Sequence, residues 1–352
     1  MMHPCLPNSR AVLYIFHGDD TFSLQQALDE VKAGLALGSL EESNTTRLGP
    51  QTTPQELIAI CSTAPFLAPA RLVIAEGVLG RADGQGGGRR RGAASEGAGD
   101  WTAFLEFLPM MPESTHLALL EGKLSARNEL YQQLKPHAQE RSLNLPQPRD
   151  WDGWAQHWLR DQAKELGLQL DDAGVRLLVE LVETTLWALD AELKKLAAYA
   201  AGGPIGRKEV QALVTPSREH SVFPVVDAIV EGQPGKALKL LSQLDLRDEG
   251  PEYPFFMLLR QYRLLVQAAA LLAQGSSAEA IRQTLGVRNE FAFKKLLQQA
   301  RRYTVPQLRE AYERLQEADL SVKRGLAEPE TALDLLVYDL AEISRLPKVA
   351  GA

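Results

Sequence analysis

The chain has 352 residues, of which 45% are hydrophobic and 24% charged, a composition that excludes a largely disordered protein. Its 45 acidic and 38 basic residues give a net charge of −7, so no overall positive field draws it onto nucleic acid or an anionic membrane. Two cysteines, Cys5 and Cys61, are too few for a disulfide-stapled secreted framework.

Membrane and export signals are weak along the sequence. The longest nearly apolar run, residues 264–273, is well short of the ~20 residues that a membrane span needs. Residues 1–10 lack the apolar core of a signal peptide. We therefore expect a cytoplasmic protein that is not associated with a membrane.

Short apolar runs alternate with amphipathic ones between residues 11 and 143. Three of the short runs predict buried strands, because they are too short for helices and rich in strand formers. They are residues 11–16, 71–76 and 115–120. Asp19 and Asp20 stand where a helix N-cap belongs, and Thr53 followed by Pro54 predicts another helix start. This alternation predicts a parallel sheet wrapped by helices.

Residues 80–99 interrupt that pattern with eight glycines and four arginines that show no periodicity. Such a composition is typical of a flexible surface insertion. Its arginines could contact a phosphate backbone, but a solvated loop is the commoner reason for these residues.

Beyond residue 146 the strand signals stop and helical spacing takes over. Asp150 predicts the cap of a helix on which Trp151, Trp154 and Trp158 share one face. Such a stripe could stack on bases, although packing at a domain junction is the commoner role of large aromatic residues at this spacing.

A polar break at residues 216–220 separates this segment from a longer run of helical pattern. The sequence therefore predicts three domains and a tail. They are an α/β domain (1–146), a small helical domain (147–216), a helical bundle (217–346) and the tail (347–352).

The turn at residues 17–20, with the sequence His-Gly-Asp-Asp, lies where a P-loop would hold nucleotide phosphates. A P-loop needs several glycines, a lysine and a hydroxyl, whereas this turn has one glycine and two carboxylates that repel anions. The chain contains no Walker, HExxH or GxSxG motif, and its six histidines show no ligand spacing. The residues therefore predict no catalytic centre, metal site or cofactor.

Several further strings follow one another in a recognisable order. They are PFLAPARLVI at 65–74, LDAELKKLAAY at 189–199, FPVVDAI at 223–229, FKKLLQQARR at 293–302 and DLSVKRG at 319–325. With the turn at residues 17–20, this series resembles the delta subunit of the bacterial DNA polymerase III clamp loader. The resemblance covers nearly the whole chain and departs from the family at residues 80–99, which are longer and more basic here.

The resemblance implies an AAA+-like fold with a RecA-type parallel-sheet domain, a helical lid domain and a C-terminal helical collar domain through which subunits associate. It implies a delta subunit that binds the beta sliding clamp and opens the ring for loading on primed DNA during replication. ATP hydrolysis would belong to partner subunits, the loader containing subunits of the tau/gamma and delta-prime type. Two alternatives are an active AAA+ ATPase, which would bind nucleotide, and a non-catalytic helical scaffold or regulator, which would not bind the clamp.

The resemblance also implies that Phe66 and Leu67 contact the clamp. The residues themselves are compatible with this role, because Pro65 and Pro69 stiffen the backbone around the pair at the end of an element. The alternative is that both side chains fill the core between a helix and the sheet, which the residues alone favour.

A second candidate surface is basic and lies in the third domain. Lys294 and Arg301 are seven residues apart, as are Lys295 and Arg302, so each pair shares a face of one predicted helix. These residues could contact DNA phosphates. A solvated face, or contacts with neighbouring collar domains, is the favoured alternative.

Overall fold

The computed structural model describes residues 12–82, 101–182, 185–243 and 253–345. Contacts between residues divide the chain into two compact units that meet in sequence at Leu145 and Pro146. The first unit is an α/β domain, and the second is almost entirely helical.

A sheet of five parallel strands forms the centre of the first unit. The strands are β1 Val12–His17, β2 Thr45–Leu48, β3 Arg71–Glu76, β4 Thr115–Glu121 and β5 Ala138–Ser142. Their order is β2-β3-β4-β1-β5, and Ile15 of β1 lies opposite both Leu119 of β4 and Glu140 of β5. The three predicted strands are confirmed as the three inner ones, and the predicted parallel sheet is present.

Six helices connect these strands within the described residues. They are α1 Thr21–Leu35, α2 Glu41–Asn44, α3 Pro54–Cys61, α4 Val78–Ala82, α5 Thr102–Phe107 and α6 Glu129–Leu134. The predicted helix starts are confirmed, since the Asp20 carboxylate accepts the Ser23 backbone N–H at 3.0 Å and Thr53 forms a capping box with Glu56.

One prediction in this unit is wrong at its boundary. The irregular insertion expected at residues 80–99 does not begin at Gly80, because Gly80 and Arg81 belong to α4. The carboxylate of Glu121 accepts the backbone N–H of Gly80 at 3.0 Å, so this hydrogen bond fixes the position of Gly80 within the domain. Residues 83–99 lie outside the described residues.

Both faces of the sheet are covered. On β1, Leu13 and Ile15 point into the core shared with α3, α5 and α6, while Tyr14 and Phe16 point into the core shared with α1. Successive side chains of a strand point to opposite faces of the sheet. Because both faces are buried here, apolar side chains point to both of them, and the inner strands are continuous apolar runs.

The second unit contains eleven helices among its described residues. They are α7 Trp151–Glu165, α8 Asp172–Leu181, α9 Leu186–Ala200, α10 Arg207–Leu213, α11 Arg218–Val230, α12 Pro234–Ser242, α13 Tyr253–Ala273, α14 Ala278–Leu285, α15 Glu290–Ala300, α16 Val305–Lys323 and α17 Pro329–Arg345. Two-residue strands β6 Gln169–Leu170 and β7 Pro204–Ile205 also pair in parallel. Helix α11 begins inside the break expected at residues 216–220, with Ser217 as its N-cap.

Helices α11 to α17 share one apolar core, with α13 at its centre. By length and composition α13 could span a membrane, but Phe255, Leu258, Tyr262 and Leu265 are buried along one of its faces. It is therefore the core helix of the bundle.

The tryptophan stripe begins with a packed residue. Trp151 is only 1% exposed, and its ring centroid lies 5.7 Å from that of Trp154. Trp154 and Trp158 are half-buried. Packing, which the sequence favours over base stacking, accounts for the first of the three indoles.

Candidate partner-binding site

The loop between α3 and β3 presents two apolar side chains to solvent. Phe66 is 60% exposed and Leu67 is 79% exposed, so neither fills the core between helix and sheet. The flanking residues Cys61 and Ala70 are buried, which ties both ends of the loop to the domain. Single exposed apolar residues are common, but two large ones next to each other on one loop form a patch of the kind that contacts a partner, so the loop is a candidate contact site.

The backbone of this loop adopts an uncommon conformation. Leu67 has a φ of 50°, in the left-handed region that side chains with a Cβ disfavour. Ala36 and Ala201 also have positive φ among the described non-glycine residues, but each caps the end of a helix. Leu67 lies inside a loop instead, and such a conformation persists where surrounding contacts hold it.

The contact that holds it comes from Asn44, the last residue of α2. The Asn44 amide donates to the carbonyl oxygen of Phe66 at 2.9 Å, and its Oδ1 accepts the Phe66 N–H at 2.6 Å. A third bond runs from the same amide to the carbonyl oxygen of Leu40 at 3.0 Å. Because Asn44 is 1% exposed, water does not compete for these bonds.

A third exposed apolar side chain lies at the same edge of the sheet. Among the described residues of the first unit, the large hydrophobic residues that are exposed are Phe66, Leu67 and Met110, the last at 70%. Met110 precedes β4 as Phe66 precedes the neighbouring strand β3, and the two chain segments are joined by the bond from Arg71 N–H to the Ser114 carbonyl at 2.8 Å. Both segments therefore lie at the edge of the sheet where the parallel strands begin, which we call the amino edge.

The opposite, carboxyl edge is filled by the protein's own polar groups. Gly18 has a φ of 145°, and a Cβ added there would lie 1.7 Å from the carbonyl oxygen of Leu143. The Asp19 carboxylate binds the Lys123 ammonium group at 2.7 Å and the Leu145 N–H at 2.9 Å. Partial burial alone would raise the pKa of Asp19, but these bonds outweigh it and leave the pKa lowered.

A buried carboxylate closes the same edge at the end of β4. Glu121 is 3% exposed and accepts the backbone N–H groups of Leu79 and Gly80 at 2.8 and 3.0 Å. Burial raises its pKa, against the opposing effect of these N–H groups. A phosphate brought to this edge would face negative charges and donors that are already in use.

Behind the turn, His17 takes part in a compact polar cluster. Glu140 binds the His17 ring at 3.0 Å and the Lys135 ammonium group at 2.9 Å, and it accepts the Tyr131 hydroxyl. The Tyr131 bond is the largest effect, and together with His17 and Lys135 it outweighs partial burial and lowers the pKa of Glu140 to about 2. His17 is thus engaged within the domain rather than turned toward a ligand.

The basic residues expected to pair on one helix, Lys294 with Arg301 and Lys295 with Arg302, do not all lie on that helix. Helix α15 ends at Ala300, so Arg301 and Arg302 lie beyond it. Lys294, Arg301 and Arg302 line one surface depression, and Lys294 pairs with Glu290. Lys295 instead binds Asp227 of α11 at 2.7 Å. The structure brings together three of the four.

Two residues at the edge where the strands begin, Asn44 and Met110, were not predicted from the sequence. Asn44 acts across 22 positions of the chain and belongs to no motif, and Met110 is a single apolar residue in an irregular stretch. The pairing of β2 with β3 places Asn44 at this edge of the sheet, and the pairing of β3 with β4 places the segment of Met110 there. Within the described residues, no three His, Cys, Asp or Glu side chains are grouped so that they could hold a metal ion.

Two family models match the chain. The model described as DNA polymerase III, delta subunit, matches residues 14–142. The model described as DNA polymerase III delta subunit, C-terminal domain, matches residues 219–340. Together they cover more than two thirds of the sequence.

Individual relatives agree with these models. DNA polymerase III subunit delta of Bacillus subtilis (strain 168) is 23% identical over 333 residues, which span 93% of this chain and 92% of the relative. The subunit delta of Escherichia coli (strain K12) is 25% identical over 253 residues, 72% of this chain and 69% of the relative. The solved structure of the Bacillus subtilis DNA clamp loader delta protein superposes with a TM-score of 0.73 at 22% identity, covering 95% of this chain and 96% of the other. The last likeness shows a shared fold.

Proposed function

The chain belongs to the family of DNA polymerase III delta subunits, and from this premise we propose that it binds the beta sliding clamp and opens the ring for loading on primed DNA, without hydrolysing ATP itself. The observation that carries the proposal is the exposed pair Phe66 and Leu67 on a loop held by buried hydrogen bonds.

The chemistry of the pair fits an anchor for a partner's apolar pocket. Burying both side chains in such a pocket would contribute ~3–6 kcal/mol before the costs of association. Large apolar side chains that are held in one conformation are the usual centres of protein interfaces. Met110 at the same edge adds apolar area at the margin of this surface.

Opening a ring requires more than tight binding. A protein shifts an equilibrium only by its difference in affinity for the two states, so the chain must bind the open clamp better than the closed clamp by the free energy of opening. An anchor fixed to a stiff domain would favour the open clamp. The anchor would hold the clamp on one side of the ring interface, and the rest of the domain could then contact clamp surface that is accessible only when the interface is open.

The carboxyl edge of the sheet supports the absence of ATP hydrolysis by this chain. Open α/β sheets bind nucleotides at that edge, through backbone N–H groups and a lysine. Here the Leu143 carbonyl oxygen closes on Gly18, and Lys123 pairs with Asp19. An active AAA+ ATPase, the alternative, would need open access to the backbone N–H groups of this turn and a lysine that is not paired with a carboxylate.

We assign residues 147–216 to a lid and residues 217–346 to a collar that associates with the tau/gamma and delta-prime type subunits. Exposed apolar side chains on the bundle support an interface with other subunits; they include Phe256, Leu326, Leu335 and Tyr338. The depression lined by Lys294, Arg301 and Arg302 is a candidate for contact with the primed DNA or with a neighbouring collar.

Release of a loaded clamp tests the proposal. Labelled clamp from the same organism is placed on nicked circular DNA, and the full-length chain is added in the absence of ATP. The proposal predicts release by the wild-type chain and none by the Phe66→Ala, Leu67→Ala double variant. Absence of release by the wild-type chain, with or without ATP, would favour the scaffold alternative, whereas release that appears only after ATP is added to this chain alone would favour the active ATPase.

A further inference from the structure

The buried amide of Asn44 is bonded to the backbone of an exposed loop rather than to the core. We propose that Asn44 is a positioning residue that holds Phe66 and Leu67 in their clamp-binding conformation. This inference rests on the proposed function of that pair. Asn44 contacts no clamp surface itself, because it is 1% exposed.

The side chain of Asn44 makes the two hydrogen bonds to the Phe66 backbone that a neighbouring β-strand would otherwise make. One Asn44 group accepts the Phe66 N–H and another donates to the Phe66 carbonyl oxygen, so both polar backbone groups of Phe66 are satisfied. The remaining bond goes to Leu40, whose own N–H donates to the Leu37 carbonyl at 3.0 Å. The loop is thereby tied to the segment that leads into β2.

This tie matters for binding because the loop has little packing of its own. Phe66 and Leu67 point outward, and Leu67 adopts a left-handed conformation that a free chain seldom populates. Without Asn44 the loop would sample other conformations, and the clamp would have to select the competent fraction. The apparent dissociation constant rises in proportion to the loss of that fraction.

Replacement of Asn44 by alanine in the full-length chain is the direct test, read out as the dissociation constant for the purified clamp. We expect at least about a tenfold weakening, in line with the loss of preorganisation in other interfaces. Asn44→Asp keeps an acceptor for the Phe66 N–H but turns a buried carboxylate oxygen toward the Phe66 and Leu40 carbonyl oxygens, so it should bind no better than alanine.

Asn128 provides a matched control. It is also 1% exposed, donates to the Leu79 carbonyl at 2.8 Å and accepts the Tyr131 N–H at 2.9 Å. These bonds lie at the carboxyl edge of the sheet, away from the loop. Asn128→Ala should lower the melting temperature about as much as Asn44→Ala, yet leave clamp affinity unchanged.

A double-mutant cycle separates positioning from general damage. In the Phe66→Ala, Leu67→Ala background the loop carries no anchor, so adding Asn44→Ala should weaken binding no further. Hydrogen exchange gives a second readout, since the Phe66 amide should exchange faster in Asn44→Ala while amides of β1 keep their protection.

The outcomes are distinguishable. If Phe66→Ala with Leu67→Ala weakens binding but Asn44→Ala does not, the positioning role is wrong and the proposed function stands. If the anchor variant itself binds normally, the proposed function fails. Equal loss of affinity in Asn44→Ala and Asn128→Ala would reduce Asn44 to a structural residue. Should Asn44→Ala not fold, the same comparison is made with Asn44→Ser, whose hydroxyl is neutral and can still donate or accept a hydrogen bond.

Discussion

The two edges of one parallel sheet have opposite characters. At the carboxyl edge, where open α/β sheets usually bind ligands, Asp19, Glu121 and the Leu143 carbonyl oxygen are all engaged within the protein. At the amino edge, Phe66, Leu67 and Met110 remain exposed. We therefore propose that the partner is recognised at the amino edge, which nucleotide-binding domains leave unused.

A parallel α/β sheet of the kind that often binds nucleotides can in this way carry a partner-binding surface instead. Polar groups at the carboxyl edge satisfy one another, which stabilises the domain and leaves few donors for a phosphate. The amino edge is less constrained by the sheet, so a loop there can carry apolar side chains, provided that a buried group such as Asn44 holds its backbone.

The largest expected effect comes from removing the anchor. Phe66→Ala with Leu67→Ala should weaken clamp binding by at least ~3 kcal/mol, about 150-fold, because both side chains would leave an apolar pocket. Calorimetric titration of the full-length variant measures it. Leu335→Ala with Tyr338→Ala, which shortens two exposed side chains of α17, is the control and should bind normally. A loss of cooperative melting in the anchor variant would contradict its exposure.

The carboxyl edge should respond to Gly18→Ala through stability. The added methyl group overlaps the Leu143 carbonyl oxygen, so the backbone must move, at a cost of about 2–3 kcal/mol. Urea unfolding of the variant checks this value. Clamp affinity under native conditions should stay within about twofold of wild type, because Gly18 is distant from the α3–β3 loop and distant sites usually contribute independently. A selective loss of affinity would show that the two edges are coupled.

Glu140→Gln should reveal a pH-dependent contribution to stability. Because the folded-state pKa lies at about 2, below the ordinary value of 4.5, the ionised carboxylate stabilises the folded state above about pH 4.5. That contribution is lost as the pH falls toward 2. We expect the variant to be about 1–2 kcal/mol less stable at pH 7, allowing for partial exposure, and the difference to shrink on acidification. Unfolding curves from pH 7 to 3 measure it, and a constant difference would contradict it.

The smallest expected effect is that of Met110→Ala. Its side chain lies at the margin of the apolar edge, where truncation usually costs less than about 1 kcal/mol. Clamp titration should therefore show an affinity reduced by no more than about fivefold. A loss as large as that of the anchor variant would move the centre of the interface from the α3–β3 loop to the segment before β4.

Sequence analysis succeeds for the inner strands and for most helices, and it fails at the edge strands. The inner strands are continuous apolar runs because both of their faces are buried. Strand β5, with the sequence AQERS, and strand β2, with TTRL, lie at the two edges of the sheet and are only partly covered. Neither has an apolar run, so the local pattern gives no strand signal.

The candidate site was predictable only in part. The residues alone favoured a core role for Phe66 and Leu67, and the family resemblance supplied the partner. Exposure reverses the first interpretation, because the pair lies on the outer side of its loop. The bonds from Asn44 to Phe66 depend on how β2 and β3 bring distant segments together, which no local pattern encodes.

The central claim is that recognition occurs at the amino edge of the sheet and does not use nucleotide. Titrating the purified full-length chain with clamp by calorimetry, with and without Mg-ATP, tests it most directly. We predict a measurable dissociation constant that is the same in both titrations and that Phe66→Ala with Leu67→Ala raises about 150-fold or more. Clamp binding that appears only with Mg-ATP, or no binding by the wild-type chain in either titration, would contradict it.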